Sequence, residues 1–257
     1  GVSSVETGQR VAAGPFPSNG GYTEYLCLPA DDVVPVPPGV DSAEAVCVVA
    51  NYLTADLALR TADVHEGDRI LIQGAAGGVG TALVELGRLA GLEMYGTAST
   101  YNHDLVAEMG ATPIDYRSED VVQRIRTLTG DGVDAVFDPI GGARQLWRSN
   151  QTLRKGGRLI WFGVAATSKD GIRVIPVTLA TVGFLKLLPD GRKVHTTPDV
   201  SEPAQRQRLV GLLDSLAAGD LHPVVAERVP LREAARAHEL LERSGYAGKI
   251  VLTTEPT

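Results

Sequence analysis

Cysteine is scarce in this chain. Cys27 and Cys47 are the only two, and neither stands in the CxxC spacing of a metal or redox motif. A disulfide scaffold is thereby excluded, and both thiols are expected as small core side chains. Positive charge is also short: 24 Lys and Arg against 31 Asp and Glu leave a net charge of −7. A chain without basic excess has little with which to neutralise a run of phosphates, so non-specific nucleic-acid binding is excluded. Long apolar runs are missing too. The longest, roughly Val174 to Leu188, is broken by Pro176 and Lys186 and is too short to span a bilayer. With no signal-peptide pattern at the start, the expected setting is cytoplasmic and reduced, with no membrane partner. No internal repeat or low-complexity linker is visible. The chain opens on Gly1 rather than Met, which removal of an initiator Met or a fragment boundary would each explain.

What is present is ordinary in bulk and specific in one place. A content of 44% hydrophobic and 21% charged residues suits a soluble globular protein, and 257 residues suffice for one large domain or two smaller ones. The specific place is Arg69-Ile-Leu-Ile-Gln-Gly-Ala-Ala-Gly-Gly-Val-Gly80, followed directly by the amphipathic run Thr81–Ala90. A buried strand ends in a glycine cluster and a helix starts at once, which is the context in which such a cluster binds a dinucleotide. Ala75, Gly77 and Gly80 occupy the three G-x-G-x-x-G positions, with Ala for the first Gly. A helix opening near Val79 turns its free N–H groups and positive dipole end to the pyrophosphate.

From about Ser42 to Gly219 strand-like and helix-like segments alternate, as a doubly wound parallel α/β sheet requires. Strand patterns cover Arg69–Gln73, Glu93–Ala98, Pro113–Asp115, Val133–Asp138 and Arg158–Phe162. Helical patterns cover Thr81–Ala90, His103–Met109, Glu119–Leu128, Ala143–Leu153 and Ser201–Leu216. Gly91, Gly110, Gly130-Asp-Gly132 and Lys155-Gly-Gly157 punctuate them as turns. Residues 1–41 are rich in Pro and Gly, with short alternating strands at Tyr22–Leu28 and Val33–Val36, and read as part of a β domain. Residues 223–229, 231–241 and 249–252 read strand, helix, strand, and the last can return to that domain. The expected division is a dinucleotide-binding (Rossmann) domain over 42–221 and a partial β domain from 1–41 and 222–257.

The strand Glu93–Ala98 should deliver its C-terminal end to the adenosine ribose. An NAD enzyme carries Asp or Glu there, whereas this chain has Gly96-Thr-Ala-Ser-Thr100. No carboxylate repels a 2′-phosphate, and Ser99 and Thr100 can donate to one, so NADPH is expected over NADH. The basic partner is open between His103 and Arg117, with a surface place in a helix's first turn the plainer role for His103.

These stretches resemble the medium-chain dehydrogenases/reductases, in the zinc-independent quinone oxidoreductase (zeta-crystallin) branch. The resemblance rests, in order, on Gly20-Gly-Tyr-Thr-Glu-Tyr25, Val36-Pro-Pro-Gly39, Asn51-Tyr-Leu-Thr-Ala55, Ala75-Ala-Gly-Gly-Val-Gly80 and Gly96-Thr-Ala-Ser99. It continues through Ile114-Asp-Tyr116, Val136-Phe-Asp-Pro-Ile-Gly-Gly142, Gly157-Arg-Leu-Ile-Trp-Phe-Gly163 and Gly248-Lys-Ile-Val-Leu252, essentially the whole chain. Vesicle amine transport protein homologues and the enoyl reductases of polyketide synthases are the nearest in wording. The resemblance implies a Rossmann cofactor domain with a partial GroES-like β domain. It implies Thr54 near the nicotinamide, and Gly77, Gly78 and Val79 at the pyrophosphate. Gly96, Thr97 and Ser99 would face the ribose phosphate, with Tyr116 against that phosphate or the adenine. Ile140 and the turn Phe162-Gly163-Val164 would line the nicotinamide half, with ordinary strand-end packing the alternative for Ile140 and Phe162. The Lys that family members carry after the ribose loop is replaced here by Tyr101-Asn-His103.

Two departures stand out. Relatives with zinc carry a cysteine-rich lobe where this chain has only Ala12–Asn19, and a catalytic Cys where it has Ala50. Five His and two Cys without ligand spacing leave no zinc site. A family segment on the order of half a typical small domain would also precede Gly1, so the chain is expected to be an N-terminal truncation. The implied chemistry is hydride transfer from NADPH to a quinone or an α,β-unsaturated carbonyl, with the cofactor carrying the reaction. No catalytic acid is named: Tyr52 is a candidate donor, with packing its plainer role. Two rivals remain, an enoyl-thioester reductase served by a carrier protein and an NADPH-binding protein without turnover. The few lysines, Lys155, Lys169, Lys186, Lys193 and Lys249, give a carrier-docking patch little support. A small-molecule substrate and a homodimer made by sheet-edge pairing are the expected partners. Specificity and oligomer contacts are expected in Thr167–Asp199.

Overall fold

The computed structural model describes residues 4–14, 20–163, 174–196, 203–243 and 245–254. Strands β1 (Val11–Ala13) and β2 (Val33–Pro35) lead into one helical run of α1 (Ser42–Cys47), a π-helical turn (Val48–Tyr52) and α2 (Leu53–Ala62). Then follow β3 (Arg69–Ile72), α3 (Gly78–Leu89), β4 (Glu93–Ala98), α4 (His103–Glu108), β5 (Thr112–Asp115) and α5 (Val121–Thr129). Next come β6 (Val133–Asp138), α6 (Ala143–Thr152), β7 (Leu153–Trp161), α7 (Val174–Lys186) and β8 (Lys193–Thr196). The last elements are α8 (Pro203–Ala218), β9 (Val225–Pro230), α9 (Ala234–Arg243) and β10 (Lys249–Thr253). Two compact units result, one of Ala55–Ala76 and Leu83–Pro198, the other of Gly1–Thr54, Gly77–Ala82 and Asp199–Thr257.

The first of these holds a six-stranded sheet in the order β5-β4-β3-β6-β7-β8, parallel throughout. The chain winds outward from β3 to β5, returns to β6 beside β3, and winds out again to β8. That reversal between β3 and β6 is the switch point at which doubly wound sheets bind ligands. Strands covered on both faces need continuous apolar runs rather than alternation. Ile70, Leu71 and Ile72 of β3 and Ala135, Val136 and Phe137 of β6 are accordingly fully buried. Leu71, Ile114, Ile125, Leu146, Leu159 and Leu185 join in one core cluster. At β7 the observed strand is longer than its sequence pattern. Lys155-Gly-Gly157, expected as a turn, lies inside it, and the β6–β7 register shifts between Val133 and Ala135. The glycines serve an irregular strand rather than ending one.

The second unit pairs β1 with β2 antiparallel and β9 with β10 parallel. Asp41 caps α1, accepting from the backbone N–H groups of Ala43 and Glu44 at 3.0 and 3.1 Å. Its small core joins Ala43, Cys47 and Val251. Burial pushes the Cys47 thiol up to about 11, which keeps it protonated and inert. Two expectations fail here. Cys27 is exposed, and Tyr22–Leu28 forms no strand, with Tyr25 89% exposed. A period-two pattern makes a strand only where a neighbour takes up its hydrogen bonds, and no described strand pairs with this segment.

The helical run Ser42–Ala62 is long and apolar enough to cross a membrane, but 61% of its most apolar window is buried inside the protein, as in a core helix.

Candidate cofactor site

The turn after β3 is made by Gly74. Its φ of +69° lies in the left-handed region, so the tight reversal falls one residue before Ala75. An alanine at the first motif position therefore costs nothing. The turn is tied to β4: Gly74 N–H donates to Thr97 Oγ1 at 2.9 Å and Ala75 N–H to the Thr97 carbonyl at 2.9 Å. Gly96 is required by the same closeness. A Cβ there would stand 2.6 Å from the Ala75 methyl and 3.1 Å from Val106 Cγ1.

Beneath this turn runs a buried polar chain that sequence reasoning missed. Thr97 Oγ1 donates to Gln73 Oε1 at 2.9 Å, and Gln73 Nε2 donates to Ser149 Oγ at 3.3 Å. Ser149 in turn donates to Asp138 Oδ2 at 2.7 Å. Asp138 also accepts from the N–H groups of Ile140 and Gly141 at 2.8 and 3.0 Å and from Gln145 at 3.3 Å. Asp138 is wholly buried. Burial pushes its carboxyl up, and donation from Ser149, Gly141, Ile140 and Gln145 opposes that push. The chain joins the C-terminal ends of β4, β3 and β6, so it shapes the switch point from below. The signal in the sequence was Asp138-Pro-Ile-Gly-Gly142, an acid at a strand end followed by glycines.

A cavity of about 750 Å³ opens at these strand ends, its lining including Gln73, Tyr116, Arg117, Ile140, Gly141 and Gln145. The Ser99 and Tyr116 hydroxyls are 3.2 Å apart, which brings together two residues expected at the ribose phosphate. Asp115 holds their two loops in place. Its carboxylate accepts from Thr100 Oγ1 at 2.8 Å, Ser118 Oγ at 2.9 Å and Arg117 N–H at 3.0 Å. The Arg117 N–H, Thr100 and Ser118 hold the Asp115 carboxyl below the usual carboxylate range. Ile140 shares the cavity with Tyr116, although the two were expected at opposite ends of a cofactor. Phe162 N–H donates to the Asp138 carbonyl at 3.2 Å, and Gly163 packs against Pro139. Phe162 and Gly163 thus support the turn after β6 and are not among the cavity's lining residues. Thr178 of α7, also missed, accepts from Gly142 N–H at 2.9 Å. Val164 lies outside the described residues, as do 167–173 and 197–199 of the expected specificity segment Thr167–Asp199, whose remainder holds α7 and β8.

In the other unit, Gly77, Gly78 and Val79 form the start of α3. Thr81 N–H donates to the Gly77 carbonyl at 2.8 Å, so the first N–H groups of the helix have no intrahelical partner. Asn51, in the π-helical turn, lies against this start: a Cβ on Gly78 would be 2.7 Å from its Nδ2. Such turns recur at functional sites. Thr54 Oγ1 donates to the Ala50 carbonyl at 2.7 Å, which leaves that oxygen to act as an acceptor. Tyr52 is 1% exposed, the burial of a packing residue.

Among the described residues no three His, Cys, Asp or Glu side chains come together as a metal centre needs. A dinucleotide fits: the Gly96–Ala75 approach keeps the turn clear of side chains, and the cavity at the strand ends has the size of a ligand site.

The comparisons agree with that geometry. Residues 109–252, over half the chain, match the zinc-binding dehydrogenase family. A synaptic vesicle membrane protein VAT-1 homologue of Danio rerio is 29% identical over 93% of this chain, which spans about half (52%) of that relative. A 2-haloacrylate reductase of a Burkholderia species is 33% identical, over 98% of this chain and 76% of its own length. A quinone oxidoreductase of Sus scrofa is 32% identical over 98% and 74%. Among solved structures, a quinone oxidoreductase of Pseudomonas syringae superposes with a TM-score of 0.83 at 29% identity, over 97% of this chain and 76% of that one. A mycobacterial protein solved with NADPH gives 0.80 at 30% identity, over 98% and 77%. With its doubly wound sheet, its second β-containing unit and these matches, the chain belongs to the zinc-binding dehydrogenase family of medium-chain dehydrogenases/reductases.

Proposed function

We propose that this chain serves the NADPH-dependent reduction of quinones or α,β-unsaturated carbonyl compounds by direct hydride transfer, without zinc. Support comes above all from the end of β4, where Gly96-Thr-Ala-Ser99 carries no carboxylate and the Ser99 hydroxyl meets that of Tyr116 at 3.2 Å. An NADH site would offer an acid at that position to the ribose 2′-hydroxyl. The names of the quinone oxidoreductase and 2-haloacrylate reductase relatives, and the NADPH complex, point the same way.

Nicotinamide, when bound, supplies the hydride. The chain's own residues bind and orient. N–H groups of Gly77, Gly78 and Val79 at the start of α3 take the pyrophosphate. Gly96 and Thr97 shape the ribose contact, with Ser99 and Tyr116 donating to the 2′-phosphate. Ile140, in the same cavity as Tyr116, lines the nicotinamide half. Thr54, with its proton committed to Ala50, accepts from the carboxamide N–H₂. Phe162, Gly163 and Val164 shape the nicotinamide half. No side chain is assigned as proton donor, and water supplies the proton that completes the reduction. The edge strand β8 and the apolar side chains of α7 form a homodimer interface.

The test is NADPH oxidation by the full-length natural protein with a quinone and an enone, with NADH in parallel and with EDTA present. Turnover with NADPH that survives chelation is the expected result. Binding without turnover on either substrate class would replace the reductase by a cofactor-binding protein.

A further inference from the structure

Two candidate cations follow the ends of β4 and β5, and they stand differently in the fold. His103 turns its ring back onto its own strand, with Nε2 3.4 Å from the Ala98 carbonyl. Arg117 stands the other way. Its guanidinium carbon lies 5.7 Å from the centroid of the Tyr116 ring and 5.8 Å from that of Tyr101. The cation is thus within cation–π range of both rings, which do not neutralise it. Tyr101 comes from the loop after β4 and Tyr116 from the loop after β5, the loops that Asp115 fastens together. Arg117 is exposed, lines the same cavity as Tyr116, and makes no ion pair with a carboxylate among the described residues. The acids near it are already engaged: Asp115 by three donors, Glu119 by Arg124 at 3.3 Å, Asp120 by Arg148 at 3.0 Å.

We propose that Arg117, within cation–π range of Tyr101 and Tyr116, is the residue that selects a 2′-phosphorylated dinucleotide. This rests on the dinucleotide reading above and deepens it. A guanidinium presents several N–H donors in a plane, which suits a phosphate monoester better than a ribose hydroxyl. Contact with both rings restricts the side chain in advance, so less side-chain entropy is lost when the phosphate arrives. Beside it, Ser99 and Tyr116 add neutral donors for the remaining phosphate oxygens.

The test compares dissociation constants for NADPH, NADH, 2′,5′-ADP and 5′-AMP by calorimetry, in the wild type, Arg117→Ala, Arg117→Lys and Arg144→Ala. Arg144 lines the same cavity on α6 and serves as the charge control. Arg117→Ala should weaken NADPH and 2′,5′-ADP roughly tenfold to hundredfold and leave NADH and 5′-AMP within about twofold. Arg117→Lys should recover part of the loss, and Arg144→Ala should cause none of it. Equal losses for phosphorylated and unphosphorylated ligands would make Arg117 an adenine-stacking residue and overturn the proposal. No loss at all would overturn it too, while NADPH turnover by the same variant would leave the reductase reading standing. A wild type that binds neither NADPH nor 2′,5′-ADP would overturn both.

Discussion

Ser149 donates its hydroxyl proton to Asp138 across 2.7 Å, and neither side chain has measurable exposure. A buried carboxylate is tolerated only where donors surround it, and this one has the Ser149 hydroxyl, the Gln145 amide and two backbone N–H groups. Asp138→Asn turns an amide N–H₂ toward these donors. It should cost about 2–4 kcal/mol in urea unfolding. The pH dependence has a definite sign. Burial holds the folded-state carboxyl above its ordinary value of 3.8, so the native state keeps a proton that the unfolded chain has lost. Stability from this group rises as pH falls toward the ordinary value. The gap between wild type and Asp138→Asn should therefore widen from neutral pH to mildly acid pH, and a gap that narrows would contradict it.

Gly96→Ala tests the approach of β4 to the glycine turn. The added methyl would sit 2.6 Å from Ala75 Cβ, so the strand end or the turn must move. A loss of about 1–3 kcal/mol is expected, with NADPH binding weakened by roughly tenfold or more. Calorimetry and thermal unfolding check both.

Thr54→Val keeps the shape and removes the hydroxyl. With that oxygen gone, kcat/KM for NADPH-dependent reduction should fall about tenfold, or about 1.4 kcal/mol in transition-state stabilisation. Stability should move by less than about 1 kcal/mol. Unchanged steady-state kinetics would remove Thr54 from the nicotinamide site.

Leu187 is 82% exposed and Phe184 55% exposed, at the C-terminal end of α7. Exposed apolar side chains of this size are the material of an interface. Sedimentation should find the wild type dimeric and Leu187→Glu or Phe184→Glu shifted toward monomer. A monomeric wild type would remove the dimer.

How much was legible in advance depended on range. The β3–glycine turn–α3 unit was readable because strand, turn and helix are contiguous and each has a local signature. The strands over Glu93–Ala98 and Val133–Asp138 come out with those bounds, for the same reason. The failures were non-local. Tyr22–Leu28 alternates as a strand does, but alternation is only half of a strand and a partner is the other half. Cys27 followed from that error, since a residue on an unpaired segment has no core to enter. Lys155-Gly-Gly157 read as a turn because glycine has two uses, and which one applies is decided by the neighbouring strand.

By itself, then, the sequence determined the class of fold and the order of its elements, because periodicity, glycine placement and apolar runs act over a few residues. It determined as well that the end of β4 carries hydroxyls and no acid. Only the tertiary structure decided which distant residues share a site. Ile140 joined Tyr116 because β6 returns to the middle of the sheet rather than its edge. Asp138 met Ser149 and, through it, Gln73, because the ends of β6 and β3 are neighbours. Arg117, rather than His103, lines the cavity, near rings from two loops that Asp115 joins. Such meetings depend on strand order and register, which no local pattern along the chain encodes.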